Sequence, residues 1–284
     1  MPQPDDLAAW IGRAESSEDF VCERNAVLLA ATLDRERPPA PGEPLPPLWH
    51  WTQFVPSTRA SGIGPDGHAR RGGFLPPVPL PRRMWAGGRL VFHHPLKIGE
   101  RAVRRSSIAA VSEKSGKSGR LVFVRVNHLI EDAEGLALSE EQDLVYREPS
   151  QGPAPAAPPA PQGGQWADTI RPDPVMLFRY SALTFNAHRI HYDRPYASEA
   201  EGYAGLVVHG PLIATLLAES LAKRSGRALA SFSFRAASPL FDTAPFTVCG
   251  RIDGEHASLW ALNPQGALAM SAEAAFIVGK PGAD

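Results

Sequence analysis

The chain is poor in the features that mark several large protein classes. It has only two cysteines, Cys22 and Cys249, far apart and in apolar surroundings. That excludes a disulfide framework and points to buried thiols in a reducing compartment. No charge of one sign dominates: 29 Lys and Arg face 30 Asp and Glu, a formal net charge of -1. The basic residues cluster only as short pairs, Arg70 with Arg71, Arg82 with Arg83 and Arg104 with Arg105, so nothing argues for a nucleic-acid partner. No apolar run approaches the roughly 20 residues that cross a bilayer, so no membrane partner is expected. The first residues lack a basic-then-apolar signal pattern, and they carry Asp5, Asp6 and Glu15 where a transit peptide avoids acids. The expected location is the cytoplasm.

Proline and glycine, by contrast, are plentiful and unevenly placed. Residues 151–165 read QGPAPAAPPAPQGGQ, a stretch with no large apolar residue that prefers an extended polyproline form. It marks a linker between a unit at 1–150 and a unit at 166–284. In the second unit, Leu212, Ile213, Leu216, Leu217 and Leu221 recur at helical spacing before Gly226. Four strand-like runs follow, at 228–236, 246–252, 257–262 and 267–278, with a turn at Asn263 to Gly266. The first unit repeats this order less clearly. Residues 26–33 are apolar nearly all round, as a helix enclosed by a sheet would be. Strand-like runs lie at 90–92, 102–111, 121–130 and 138–146, with turns at 115–119 and 132–135. Between that helix and those strands lies a Gly- and Pro-rich insert, residues 49–88, and an irregular stretch of such length is more often functional than idle.

Titratable groups crowd into one place. Residues 179–211 read RYSALTFNAHRIHYDRPYASEAEGYAGLVVHGP, which puts Asn186, His188, His191 and Asp193 within eight positions. His209 and Gly210 then open the apolar helix, whose first N–H groups lack partners and carry partial positive charge.

This stretch resembles the signature of the hot-dog (R)-specific enoyl-CoA hydratases of the MaoC-like superfamily, in which Asp and His stand five residues apart in Gly-Asp-x-Asn-Pro-x-His. Asn186 falls at the Asp place, His188 at the Asn place and His191 at the His place. The variant TFNAHRIHYD is similar to one branch, the mitochondrial-type 3-hydroxyacyl-thioester dehydratases and the mesaconyl-C4-CoA (3-methylfumaryl-CoA) hydratases. So are RGGFLPPVPLPRRMWAGG at 71–88 and EEQDLVYRE at 140–148. The resemblance implies an α+β double hot dog: two antiparallel sheets, each wrapped around a central helix. The first unit would be non-catalytic and accommodate the acyl-CoA, and the second would carry the hydratase motif.

It also implies a hydro-lyase that reversibly hydrates an enoyl-CoA, with 3-methylfumaryl-CoA giving citramalyl-CoA as the leading substrate pair. The alternatives are a dehydratase of linear 3-hydroxyacyl thioesters and a non-catalytic acyl-CoA-binding subunit. The partner is an acyl-CoA, no cofactor is called for, and a homodimer or higher oligomer is expected. Neutral His191 would exchange the proton, and Asn186 would orient water, since an amide has no ionised form to act as a base. Either His191 performs both transfers, or His188 or Asp193 assists. Amides of His209 or Gly210 would polarise the thioester carbonyl. Arg82, Arg83 and Trp85 would meet substrate or CoA.

Plainer readings stand beside these. Asn186 also suits a backbone-bonding turn, His188 a plain surface or core position, Asp193 capping a turn or pairing with Arg194, and His209 a purely backbone role. His188-x-x-His191-x-Asp193 has the look of a metal site, but HExxH spacing and its Glu are missing, and no metal is assigned. The run from Pro76 to Arg83 reads either as a polyproline docking segment or as a rigid loop that shapes a pocket.

Overall fold

The computed structural model describes residues 6–116, 119–149 and 156–278. The first half comprises β1 (Ala14–Phe20), α1 (Glu23–Thr32), β2 (Arg82–Phe92), β3 (Arg101–Gly116), β4 (Gly119–Asp132) and β5 (Gly135–Arg147). The second comprises β6 (Trp166–Ile170), α2 (Pro174–Leu183), α3 (Gly210–Ser225), β7 (Leu229–Ala236), β8 (Phe246–Asp253), β9 (His256–Leu262) and β10 (Leu268–Phe276). β4 alternates inward and outward residues, with Val122, Val124, Val126, His128 and Ile130 buried.

The strands form one antiparallel sheet in the order β1-β3-β4-β5-β2-β7-β10-β9-β8-β6. The order is a palindrome of two five-stranded units. The expectation of two separate sheets is therefore corrected, because the two units share a ladder through β2 and β7, with Gly88 opposite Phe234 and Leu90 opposite Phe232. The glycines of this seam have a steric reason. A Cβ on Gly87 would lie 2.6 Å from the Phe234 carbonyl oxygen, and one on Gly88 2.9 Å from the Phe234 ring.

α3 is enclosed all round, every residue from 212 to 221 being buried. It ends where Gly226 takes the left-handed backbone (φ 59°) that stops a helix. α1 departs from expectation. Ala26, Leu29 and Ala30 are buried, but Val27 and Leu28 are exposed. Leu48, just before the insert, and Trp49 and Phe54 within it fill the first half's core, so α1 needs to cover only part of it. Two ion pairs tie the halves together: Arg35 with Glu219 on α3 at 2.7 Å, and Arg82 with Glu201 at 2.8 Å. Cys249 is buried and Cys22 only half-buried, and both are free. Of the proline-rich stretch, 151–155 lie outside the described residues. The Pro158 carbonyl beyond them accepts the Leu268 N–H at 2.9 Å. The turn at 115–119 also includes undescribed residues, 117 and 118.

The first half buries a charged group. Glu140 on β5 accepts hydrogen bonds from the indole N–H of Trp51 and the Gln142 amide, both at 2.9 Å, and lies 3.1 Å from His50 Nε2. Burial works against its ionisation, but the hydrogen bond and charge of His50, with His128 and Gln142, hold its pKa down to about 2. A folded pKa below the unfolded value stabilises the fold above the unfolded pKa, and this contribution fades as pH falls through the folded one. Glu140→Gln should thus cost roughly 1–3 kcal/mol at pH 7. Melting curves of variant and parent should converge between pH 4.5 and about 2. Curves that stay parallel would show that the carboxylate carries no such linkage.

Candidate active site

α2 begins at Asp173, whose Oδ1 accepts the Met176 N–H at 2.7 Å, with Pro174 at the first helical position. It ends at Thr184, and Phe185 turns the chain with a left-handed backbone, φ 48°. Asn186 follows, its Oδ1 accepting the His188 N–H at 3.0 Å. That bond fixes a turn and leaves the amide nitrogen as the side chain's remaining polar group. The next turn buries His191, whose Nδ1 lies 2.7 Å from the Val207 carbonyl oxygen. A carbonyl only accepts, so Nδ1 carries the hydrogen and Nε2 keeps its lone pair.

The first half reaches across to this turn. Asp66 accepts the Arg189 N–H on its carbonyl at 2.9 Å. Gly67 lies so close to the turn that a Cβ would fall 1.7 Å from the Ala187 oxygen. Four imidazoles thereby form a row. The rings of His68 and His188 are 4.0 Å apart, those of His188 and His191 5.5 Å, and His209 stacks on His191 at 3.6 Å. At the far end His209 Nε2 meets Ser181 Oγ at 2.8 Å.

Burial dominates the electrostatics of the row and disfavours every imidazolium. It lowers the pKa of His191 to about 4, with the Val207 hydrogen bond opposing and His68 reinforcing. His188 falls to about 2 through burial and the charges of His68 and His191. His68 falls to about 4 through burial and Arg83, against Asp66. His209, fully enclosed, is lowered well below its ordinary value. All four are neutral near pH 7. The row lines a cavity of about 2130 Å³, walled also by Trp51, Trp85 and Phe54.

The structure sorts the candidates read from the sequence. Asn186, His188, His191, His209 and Gly210 all line this cavity, and so do Arg82, Arg83 and Trp85. Gly210 opens α3. Among the described residues the amides of His209 and Gly210 take no partner. Asp193 is spent elsewhere: it pairs with Arg189 at 2.7 Å and caps the Tyr196 N–H at 3.1 Å. Arg82 is spent too, on the carboxylate and carbonyl of Glu201. The Arg83 side chain has no hydrogen bond or ion pair among the described residues, and its charge acts on His68 and His188. Trp85 packs edge-on against Trp51 at 5.0 Å and donates to the Gly87 carbonyl.

The polyproline run is no free docking segment. Val78 and Leu80 are buried, and the Arg71 guanidinium holds the carbonyls of Val78, Leu80 and Pro81. His188, His191 and Asp193 do not converge on one point. The group whose ligand atoms lie within 4.8 Å of one another is Asp66, His68 and His188, and it faces the positive charge of Arg83. Sequence reading missed Asp66 and His68. The length and irregularity of the insert point to function, and its Asp66-Gly67-His68 is the signal within it.

Residues 48–242 match the family described as hydroxyacyl-thioester dehydratase type 2. The chain is 52% identical over 271 residues to mesaconyl-C(4)-CoA hydratase of Chloroflexus aurantiacus, covering 94% of this chain and 96% of that one. Among solved structures it is similar to HtdX of Mycobacterium tuberculosis, with TM-score 0.67 and 18% identity over 93% of this chain and 100% of that one. It is also similar to a second protein of that organism with a double hotdog fold, with TM-score 0.55 and 15% identity over 97% and 98%. The α+β hot-dog fold follows from these likenesses and from the strand order.

The tautomer and pKa of His191 are directly measurable. Nitrogen-15 spectra at pH 7 should show Nδ1 protonated and Nε2 bare, and titration should centre near pH 4. A midpoint at the ordinary value of about 6.5 would mean that the ring is not enclosed as described.

Proposed function

The chain belongs to the hydroxyacyl-thioester dehydratase type 2 family of hot-dog hydratases and dehydratases, and on that premise we propose that it adds water across the double bond of mesaconyl-C4-CoA to give citramalyl-CoA. The observation that carries the reading is the fixed tautomer of His191, which puts a bare imidazole nitrogen at the cavity beside the first amides of α3. Water gives a proton to Nε2 of His191 as its oxygen bonds to the β-carbon. The double-bond electrons move to the thioester, and the resulting enolate oxygen is met by the amides of His209 and Gly210. The imidazolium then returns the proton to the α-carbon.

The substrate assignment is supported by the 52% identity to the Chloroflexus hydratase and by Arg83. In mesaconyl-C4-CoA the free carboxylate sits on the carbon that water attacks, so its receptor must border the water site. Arg83 is a cation without an ion-pair partner among the described residues, beside His68 and His188, and Arg82 is already engaged by Glu201. The alternative, dehydration of linear 3-hydroxyacyl thioesters, uses the same chemistry and draws support from the roomy aromatic wall of Trp51, Trp85 and Phe54. A homodimer would need a surface other than the β2–β7 edge, which is joined within the chain.

Loss of enoyl absorbance over a panel of enoyl-CoAs tests the substrate, with mesaconyl-C4-CoA expected to turn over faster than crotonyl-CoA. Arg83→Ala should raise KM for mesaconyl-C4-CoA by roughly 10- to 100-fold more than for crotonyl-CoA, the worth of one charge-assisted hydrogen bond. Equal losses on both substrates would remove the carboxylate receptor. His191→Ala should lower kcat by roughly 10²–10⁴ on either substrate, and an undiminished variant would leave the assignment without its base.

Asn186→Asp separates the roles further. The new carboxylate can keep the bond to the His188 N–H, and its charge favours an imidazolium nearby, so the pKa of His191 should rise. The bare nitrogen would then appear only at higher pH, and the acid limb of kcat/KM on crotonyl-CoA should move upward from about pH 4. On mesaconyl-C4-CoA the variant should suffer more, because two carboxylates would share the site. An unmoved limb would place Asn186 away from the base.

A further inference from the structure

The family pattern holds water between two groups, and here Asn186 stands where the carboxylate would be, its oxygen turned to the His188 N–H. Asp193 is engaged with Arg189. The first half supplies His68 to the same cavity, near enough for its charge to act on His191. Asp66 takes the His68 N–H on Oδ1 and lies 3.0 Å from His68 Nδ1 through Oδ2. Although burial works against it, the hydrogen bond and charge of His68 hold the Asp66 carboxyl well below the usual range. An ionised carboxylate only accepts, so His68 Nδ1 carries the hydrogen and its Nε2 is bare. The carboxylate thus fixes the tautomer in the way such partners orient working imidazoles.

Resting on the proposed hydration, we propose that His68 is a second catalytic residue, its Nε2 accepting one hydrogen of the attacking water while His191 removes the other. Asp66 is its positioning residue. His68 does not change protonation in the cycle: the proton that leaves the water goes to His191 and returns to the α-carbon, and the hydroxyl stays on the β-carbon. The water is held by two acceptors from two different halves of the chain. The charged and titratable groups facing His68 are Asp66 and Arg71 from its own loop, Arg83 from β2 and His188 from the motif turn. Their sum keeps His68 neutral, as an acceptor must be. A divalent cation on Asp66, His68 and His188 is the competing use of these atoms. The charge of Arg83, which already lowers the pKa of both histidines, would oppose it.

The test uses the full chain and crotonyl-CoA, whose lack of a second carboxylate keeps Arg83 out of the readout. His68→Ala should lower kcat by roughly 10²-fold, the low end for a group acting directly on a transferred proton's donor. His68→Gln, which keeps an acceptor oxygen, should retain most of the rate. Adding Asn186→Asp to His68→Ala should restore part of it, because a carboxylate would again stand at the second acceptor position. A merely structural histidine would give neither the Gln retention nor the Asp rescue. Rates of His68→Ala within threefold of the parent overturn the proposal, as does equal loss in the Ala and Gln variants with no rescue by Asp. Activity lost to a chelator and restored by zinc alone would also overturn it, making Asp66, His68 and His188 ligands. A parent enzyme that hydrates neither crotonyl-CoA nor mesaconyl-C4-CoA would instead sink the hydration reading itself.

Discussion

The ladder between β2 and β7 is the contact on which the site depends. It sets Gly87 opposite Arg235 and Gly88 opposite Phe234, and it fixes the start of β2, where Arg83 stands, relative to the second half. The insert before β2 is held to the same frame, because Arg71 grips the carbonyls of residues 78, 80 and 81. A Cβ at Gly87 would press on the Phe234 carbonyl oxygen of the facing backbone, and one at Gly88 on the Phe234 ring and the Glu141 carbonyl oxygen, so the strands would have to shift. Since the row of histidines draws His68 from one half and the other three from the other, such a shift would open it. The seam and the active site are therefore a single construction.

Enclosing four imidazoles is costly unless they stay neutral, and the balance of influences favours neutrality although Asp66 and the Val207 carbonyl work against it. Burial leads for each ring, Arg83 adds to it for His68 and His188, and the rings oppose one another's charging. The two that can work have their Nδ1 hydrogens taken, one by the Val207 carbonyl and one by Asp66. The partner decides the character of each ring. A carbonyl orients His191 with little charge stabilisation, so a proton received there is readily returned. A carboxylate behind His68 fixes orientation more firmly, which suits a group that holds water rather than shuttles a proton.

Legibility in the sequence followed the strength of local patterns. α3 and β7 to β10 were plain because an apolar helix and alternating strands with Gly and Asn-Pro turns leave periodic traces. β1 (AESSEDF) and β6 (WADTI) were not, being short edge strands whose polar residues carry no inward stripe. α2 was overlooked although Asp173 and Pro174 form an ordinary cap. The turn holding Asn186 and His191 was readable because its chemistry is local. Asp66 and His68 were not, since their partners lie some 120 positions away and only the seam brings them near. Nor could the sequence choose between Arg82 and Arg83. Successive strand residues point to opposite faces, and which face met Glu201 depended on the fold.

The presence of Asn rather than Asp at position 186 makes sense once charge is followed through the cavity. The fixed charges felt by the row include the Asp66 carboxylate and, of opposite sign, the guanidinium groups of Arg83 and Arg71. A dicarboxylic thioester brings one more negative charge to the carbon that water attacks. A carboxylate at 186 would face it across the same small space, and two such charges 4 Å apart repel by about 4 kcal/mol at an effective dielectric near 20. It would also raise the pKa of His191 from about 4 and narrow the pH range in which the base is bare. For an uncharged acyl chain the repulsion does not arise, and an Asp/His pair serves well. On the proposed mechanism, an amide at 186 with a neutral imidazole brought in from the other half keeps two acceptors on the water while leaving Arg83 free to receive the substrate's carboxylate. On that reading the departure from the common motif follows from substrate charge rather than from decay.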